Sequence, residues 1–133
     1  MKNKSAEKTA VEDKQCSVSL AAIEDTLYVI GGKWKLKIII ALKEGSMRFN
    51  GMQRTITGIS ARVLSNELKE LEMNGFINRK VYTTTPVVIE YELTGYSNTL
   101  CNVLSSMIDW GTMHRNKIKT EAKNKRLGIL KKQ

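Results

Sequence analysis

The side chains best suited to chemistry in this chain stand on one short segment, GISARVLSNELKELEMNG, which runs from Gly58 to Gly75. Arginine matches the paired acceptors of guanine, and asparagine matches the donor and acceptor of adenine. Serine and lysine donate to phosphates or to base edges. Arg62, Ser65, Asn66 and Lys69 supply these groups. At about 100° per residue they collect with Met73 on one side of a helix, while Ala61, Leu64, Leu68 and Leu71 form an apolar stripe opposite. Glu67, Glu70 and Glu72 fall on the flanks. Ser60 is a good N-cap and Gly75 a good C-terminal stop, so the segment reads as a discrete helix over 60–75. A buried stripe backed by an acid-free face of donors suits a DNA major groove. The same face also suits an ordinary solvated helix, so the surrounding elements must decide.

Upstream, Leu20, Ile23, Leu27 and Ile30 recur at helical spacing, predicting a first helix from Cys16 to Ile30 that Gly31-Gly32 ends. A second helix is expected from about Lys33 to Lys43, apolar around much of its circumference and closed by Gly45. Ser46-Met47-Arg48 reads as an extended link, and Phe49 to Thr55 as a two-turn helix weakened by Gly51. Ile56-Thr57-Gly58-Ile59 is a tight turn. A short helix, a glycine-containing turn and a longer helix with a polar outer face form a helix-turn-helix pattern. Beyond Gly75 the period changes to two. Phe76 to Tyr82 and Val87 to Leu93 are strand candidates joined by Thr83-Thr84-Thr85-Pro86, a hairpin in the position of a wing. Ile89, Tyr91 and Leu93 are expected on one face, with Val88, Glu90 and Glu92 on the other, solvent-facing one. A long helix should run from Thr94 to about Lys119.

The stripe Leu100, Val103, Leu104, Met107, Ile108, Trp110 on that last helix is too wide for one small neighbour, and the first helix has spare apolar surface as well. A chain of 133 residues holds one domain with one core and can hardly bury both. Self-association through the two terminal helices is the economical solution. The expected organisation is α+β and mostly helical. It comprises a polar N-terminal arm over 1–15, a winged helix-turn-helix domain with its dimerisation helices over 16–114, and a basic tail over 115–133, read as a frayed helix or disordered arm.

The net charge of +9 is concentrated in that tail, where eight basic residues face Glu121 alone. Residues 1–15 and 16–114 each net only +1. Bulk charge therefore does not identify the folded part as a nucleic-acid binder. No apolar run approaches the roughly 18 residues of a membrane span, and the polar N-terminus has no signal-peptide core, which together predict a cytoplasmic protein. Two distant cysteines and one histidine fit neither a zinc site nor a disulfide framework, and no metal is expected.

On the DNA-binding reading, Arg62 and Asn66 read bases and Ser65 and Lys69 reach bases or phosphates. Thr57 and Ser60 meet phosphate at the helix entrance. Arg48 and Arg54 flank the backbone. The wing tip lacks a basic residue, so the wing touches backbone through threonine hydroxyls such as Thr84 and through nearby Arg79 and Lys80. A dimer with two such helices predicts a palindromic site. A second reading makes Cys16 a thiol input for an oxidant or electrophile, activated by a helix start and by Lys14. Cys101, among apolar neighbours, reads as core. A winged helix used only for protein contacts is the third reading. Catalysis is not expected: there is no phosphate-cradling glycine loop and no carboxylate pair in a cleft pattern, and His114 reads as a lone surface residue.

The ordered set IGGKW (30–34), RF (48–49), GIS (58–60), L-S-x-x-L-K-E-L-E-x-x-G (64–75), Y-x-L-T (91–94) and the late Trp110 resembles the HxlR-type winged helix-turn-helix regulators, relatives of the MarR-like group. The match spans about Cys16 to Gly111. The resemblance implies a bacterial transcription regulator needing no cofactor, a homodimer built from N- and C-terminal helices, a recognition helix in each major groove, and wings on flanking DNA. It also implies that a cysteine at the place of Cys16 serves some members as a sensor. Gly51 departs from the acidic residue usual in the first helix of the motif.

Overall fold

A computed structural model describes residues 2–131, with side-chain surroundings for 14–128. Five α-helices and three strands follow in the order α1 (Lys2–Ile30), α2 (Lys35–Leu42), β1 (Met47–Arg48), α3 (Phe49–Thr55), α4 (Ala61–Met73), β2 (Ile77–Tyr82), β3 (Val88–Leu93) and α5 (Cys101–Lys131). A 3-10 turn over Gly95–Leu100 precedes α5. The chain divides into two compact units, one ending at Gly95 and the other starting at Tyr96.

In the first unit the core is built where the periodicity placed it. Ile38, Ile39 and Leu42 of α2, Met52 of α3 and Leu64, Leu68 and Leu71 of α4 are buried together with Ile56, Ile59, Phe76 and Ile77. Ala61 departs from the expected stripe and is exposed. It is the first residue of α4, before the helix has reached the layer that covers it. Ile40 is exposed too, so α2 is packed on fewer sides than its composition suggested.

Each end of α4 is fastened locally. The Val63 N–H donates to Ser60 Oγ at 3.2 Å. At the other end Gly75 takes φ +82°, which only glycine adopts without strain. Gly58 does the same in the turn before α4, at φ +86°.

The sheet has the order β1-β3-β2, antiparallel throughout. The link at 46–48 contributes a true strand, with Met47 opposite Tyr91 and Arg48 opposite Glu90. Two residues are too few for a period to register. Glu90 and Glu92 are not solvent-facing: both are half-buried. Ser46 Oγ donates to Glu90 at 3.2 Å, and Lys80 pairs with Glu92 at 2.9 Å. The added strand β1 pairs along the edge of β3, and the residue before it supplies the serine.

Both terminal helices are longer than expected. The first begins at Lys2, so the backbone of the 1–15 segment is helical from there on and Cys16 lies about four turns inside α1 rather than at its start. Residues 2–15 lack apolar periodicity but are rich in Ala, Glu and Lys, which favour helix without it. The last helix starts at Cys101, not Thr94, and continues through the basic segment to Lys131. Lys117 and Glu121 approach to 3.8 Å at i,i+4 spacing within it. Cys101 is exposed, which corrects the core assignment. His114 is exposed and stacks on Trp110, with ring centroids 4.9 Å apart and planes 13° from parallel.

Candidate nucleic-acid interface

The interface is assembled on the first unit around α4. Arg62, Asn66 and Lys69 are exposed on its outer side, and Ser65 is half-buried between that side and the core stripe. Thr57 and Ser60 are exposed at its entrance, Arg54 at the end of α3, and Arg48 on β1. Among the described residues, none of Arg48, Arg54, Arg62, Lys69 and Arg79 has a carboxylate within salt-bridge distance. Five cations without such a partner thus stand on β1, α3, α4 and β2, in a unit whose net charge is small.

The wing residues divide. Arg79 stands opposite Tyr91 on the sheet face turned towards α4, and lines a recess of about 340 Å³ with Ser65, Leu68, Lys69, Glu72 and Tyr91. Lys80, one residue on, points to the other face and is held by Glu92. That pairing raises the ammonium pKa above the ordinary lysine value, first through the hydrogen bond to Glu92 and then through its charge. Arg79 is therefore brought together with Ser65 and Lys69, and Lys80 is not. The recess also holds Glu72, so the outer face of α4 is not acid-free at its C-terminal end. Thr84 is exposed at the wing tip, but its hydroxyl donates to Pro86 O at 2.8 Å. Only its lone pairs remain to offer.

Sequence reasoning missed the ion pairs that join α2 to α4. Lys35 opens α2 and is buried, with its Nζ 2.8 Å from Glu67 Oε2 and 2.6 Å from Glu70 Oε2. Glu67 Oε2 is fully enclosed and sits off the line of a well-directed hydrogen bond, so its partner is the lysine's charge. The available signal was a pair of lysines opening an otherwise apolar helix, KLKIIIAL, with two glutamates three residues apart on the next long helix.

Among the described residues, no group of three or more His, Cys, Asp or Glu could hold a metal ion. Nor is any described helix long and apolar enough to cross a membrane. A helix-turn-helix with an exposed, cation-bearing second helix and a hairpin directly after it defines a winged helix-turn-helix regulator that binds DNA.

The HxlR-like helix-turn-helix family matches residues 29–119, and the chain belongs to it. Over 108 residues it is 39% identical to the HTH-type transcriptional regulator YtcD of Bacillus subtilis (strain 168), covering 81% of this chain and 83% of that protein. Among solved structures, one described as an HTH-type transcriptional regulator ytcD has a TM-score of 0.69 at 41% identity, covering 71% of this chain and 96% of its own. The redox regulator HypR in its reduced form is similar with a TM-score of 0.69 at 37% identity, covering 74% of this chain and 98% of its own. The chain is a DNA-binding transcription regulator, and not an enzyme.

Proposed function

We propose that two copies of this chain pair through α1 and α5 and bind a palindromic operator in the cytoplasm. One copy of α4 enters each of two major grooves, and the β2–β3 hairpin follows flanking backbone. The observation that carries this reading is the pair Arg62 and Asn66, exposed on the outer side of a helix whose opposite side is locked into the core. Arg62 serves a guanine and Asn66 an adenine. Lys69, Arg79 and Ser65 line one recess and serve the strand passing between α4 and the wing. Arg48, Arg54, Thr57 and Ser60 take phosphates around the helix entrance, with Lys80 and Thr84 as lesser wing contacts.

Selection of bound fragments from a random duplex pool by the full chain tests this. It should enrich inverted half-sites about 10–10.5 base pairs apart, centre to centre, or a multiple of that spacing. Enrichment without two-fold symmetry would remove the dimeric mode, and no salt-dependent enrichment would favour a protein-contact role. On the selected site, Arg62→Ala should cost about 1–3 kcal/mol and relax preference at one base position while random DNA is bound as before. Unchanged selectivity would show that α4 does not read bases.

The exposure of Cys16 supports an added role as redox input, in keeping with the likeness to HypR, which is described as a redox regulator. Cys16 lies well inside α1 rather than at a helix start. Diamide should release wild-type protein from the operator and leave Cys16→Ser bound. Equal release of both would exclude Cys16 as the sensor.

A further inference from the structure

Lys33 and Lys37 lie outside every role assigned above. They flank Trp34 at the start of α2, Lys33 Nζ 4.7 Å and Lys37 Nζ 5.0 Å from the ring centroid. Both lysines are exposed, and among the described residues neither has a carboxylate within salt-bridge distance. The indole reaches the turn before α4: its Cη2 lies 3.9 Å from where a β-carbon on Gly58 would stand. Lys37 also lines a groove of about 360 Å³ with Ile40, Ala41, Thr55, Ile56 and Thr57.

We propose that Lys33 and Lys37, carried on Trp34, form a phosphate-binding site for the DNA strand that enters α4. The indole face holds the ammonium groups by cation–π attraction without neutralising them. The contrast with the lysine between them is direct. Lys35 turns inward and meets two carboxylates, whereas its neighbours turn outward and meet none. The site borders Thr57 and Gly58, which places it beside the helix entrance where the backbone is expected. The ligand class is a phosphodiester, recognised by charge and without base preference.

The inference rests on the DNA-binding reading. Its test is the affinity of the full chain for operator and random duplexes across a range of salt. Each phosphate contact adds about 0.9 to the slope of log affinity against log salt. Lys33→Gln/Lys37→Gln removes one phosphate contact and should lower that slope by about 0.9 per bound protomer and weaken both duplexes by the same factor. Lys43→Gln, an exposed lysine at the far end of α2, about 12 Å along the helix, should leave the slope as it is. An unchanged slope in the double variant overturns the site, as does an equal loss per lysine in Lys43→Gln. Wild-type protein with no salt-dependent binding to any duplex would instead refute the DNA-binding reading itself. If wild type binds and Arg62→Ala loses selectivity while the double variant behaves as wild type, only this site fails.

Discussion

Leu27→Glu is expected to make the chain monomeric and to weaken operator binding by about 10²–10⁴-fold, the gain that linking two half-site contacts normally supplies. Leu27 is 62% exposed on α1, in line with Leu20 and Ile23, and Tyr28 beside it is 84% exposed. On α5, Val103, Met107, Ile108, Trp110 and Met113 are exposed as well. Exposed apolar side chains on each helix are what the proposed pairing of two copies would cover. Because Leu27 is largely solvent-exposed within one chain, a carboxylate there should leave the fold intact. The Gly31 N–H bond to Leu27 O, at 2.8 Å, is made by backbone and survives the change. In a paired face the same carboxylate would be buried without a partner, which is strongly unfavourable. Sedimentation should show half the wild-type mass, and operator titration should show the loss while circular dichroism is unchanged. A dimer of normal affinity would remove α1 from the interface.

What could be read from the sequence and what could not differ in kind. The core stripe of α4, the cap at Ser60, the turn at Gly58 and the hairpin rest on contacts within a few residues, so period and turn chemistry report them. The candidate base readers were legible for the same reason, since a helix of known phase fixes which side chains share a face. Contacts between distant segments were not. Pairing of Met47–Arg48 with β3, the bond from Ser46 to Glu90 and the clasp of Lys35 on Glu67 and Glu70 each join elements that no local pattern relates. The recess joining Arg79 to Lys69 was hidden likewise, because it depends on how the hairpin folds back on α4. The start of α1 was missed for the opposite reason. Helix propensity alone carries Lys2 to Gln15, and a reading tuned to apolar spacing starts only where that spacing begins.

Lys35→Met should cost about 3 kcal/mol of stability, the low end of the range for removing one partner of a buried ion pair. The low end applies because Glu70 keeps 54% of its side chain exposed and can return to water. Glu67 cannot: at 22% exposure it is left with an enclosed carboxylate oxygen and no cation. If that stranded charge is the cause, Lys35→Met/Glu67→Leu/Glu70→Gln should recover most of the loss, since replacing a whole buried pair by apolar groups is often neutral. A triple variant no better than the single one would show that the lysine stem, not its charge, matters. The pH dependence has a definite sign. Burial, the largest single influence, pushes the Lys35 ammonium down, but contact with Glu67 and Glu70 and their charges outweighs it, so the folded pKa lies above the ordinary lysine value. Stability from a raised pKa is fully present below the unfolded value of about 10.4 and is lost as pH rises through the folded one. The gap between wild type and Lys35→Met in chemical denaturation should therefore be flat from neutral pH to about 10 and close only beyond it. A gap that closed near neutrality would mean that Lys35 is not the charge fastening α2 to α4. The outer face of α4 would then owe its position to the apolar core alone.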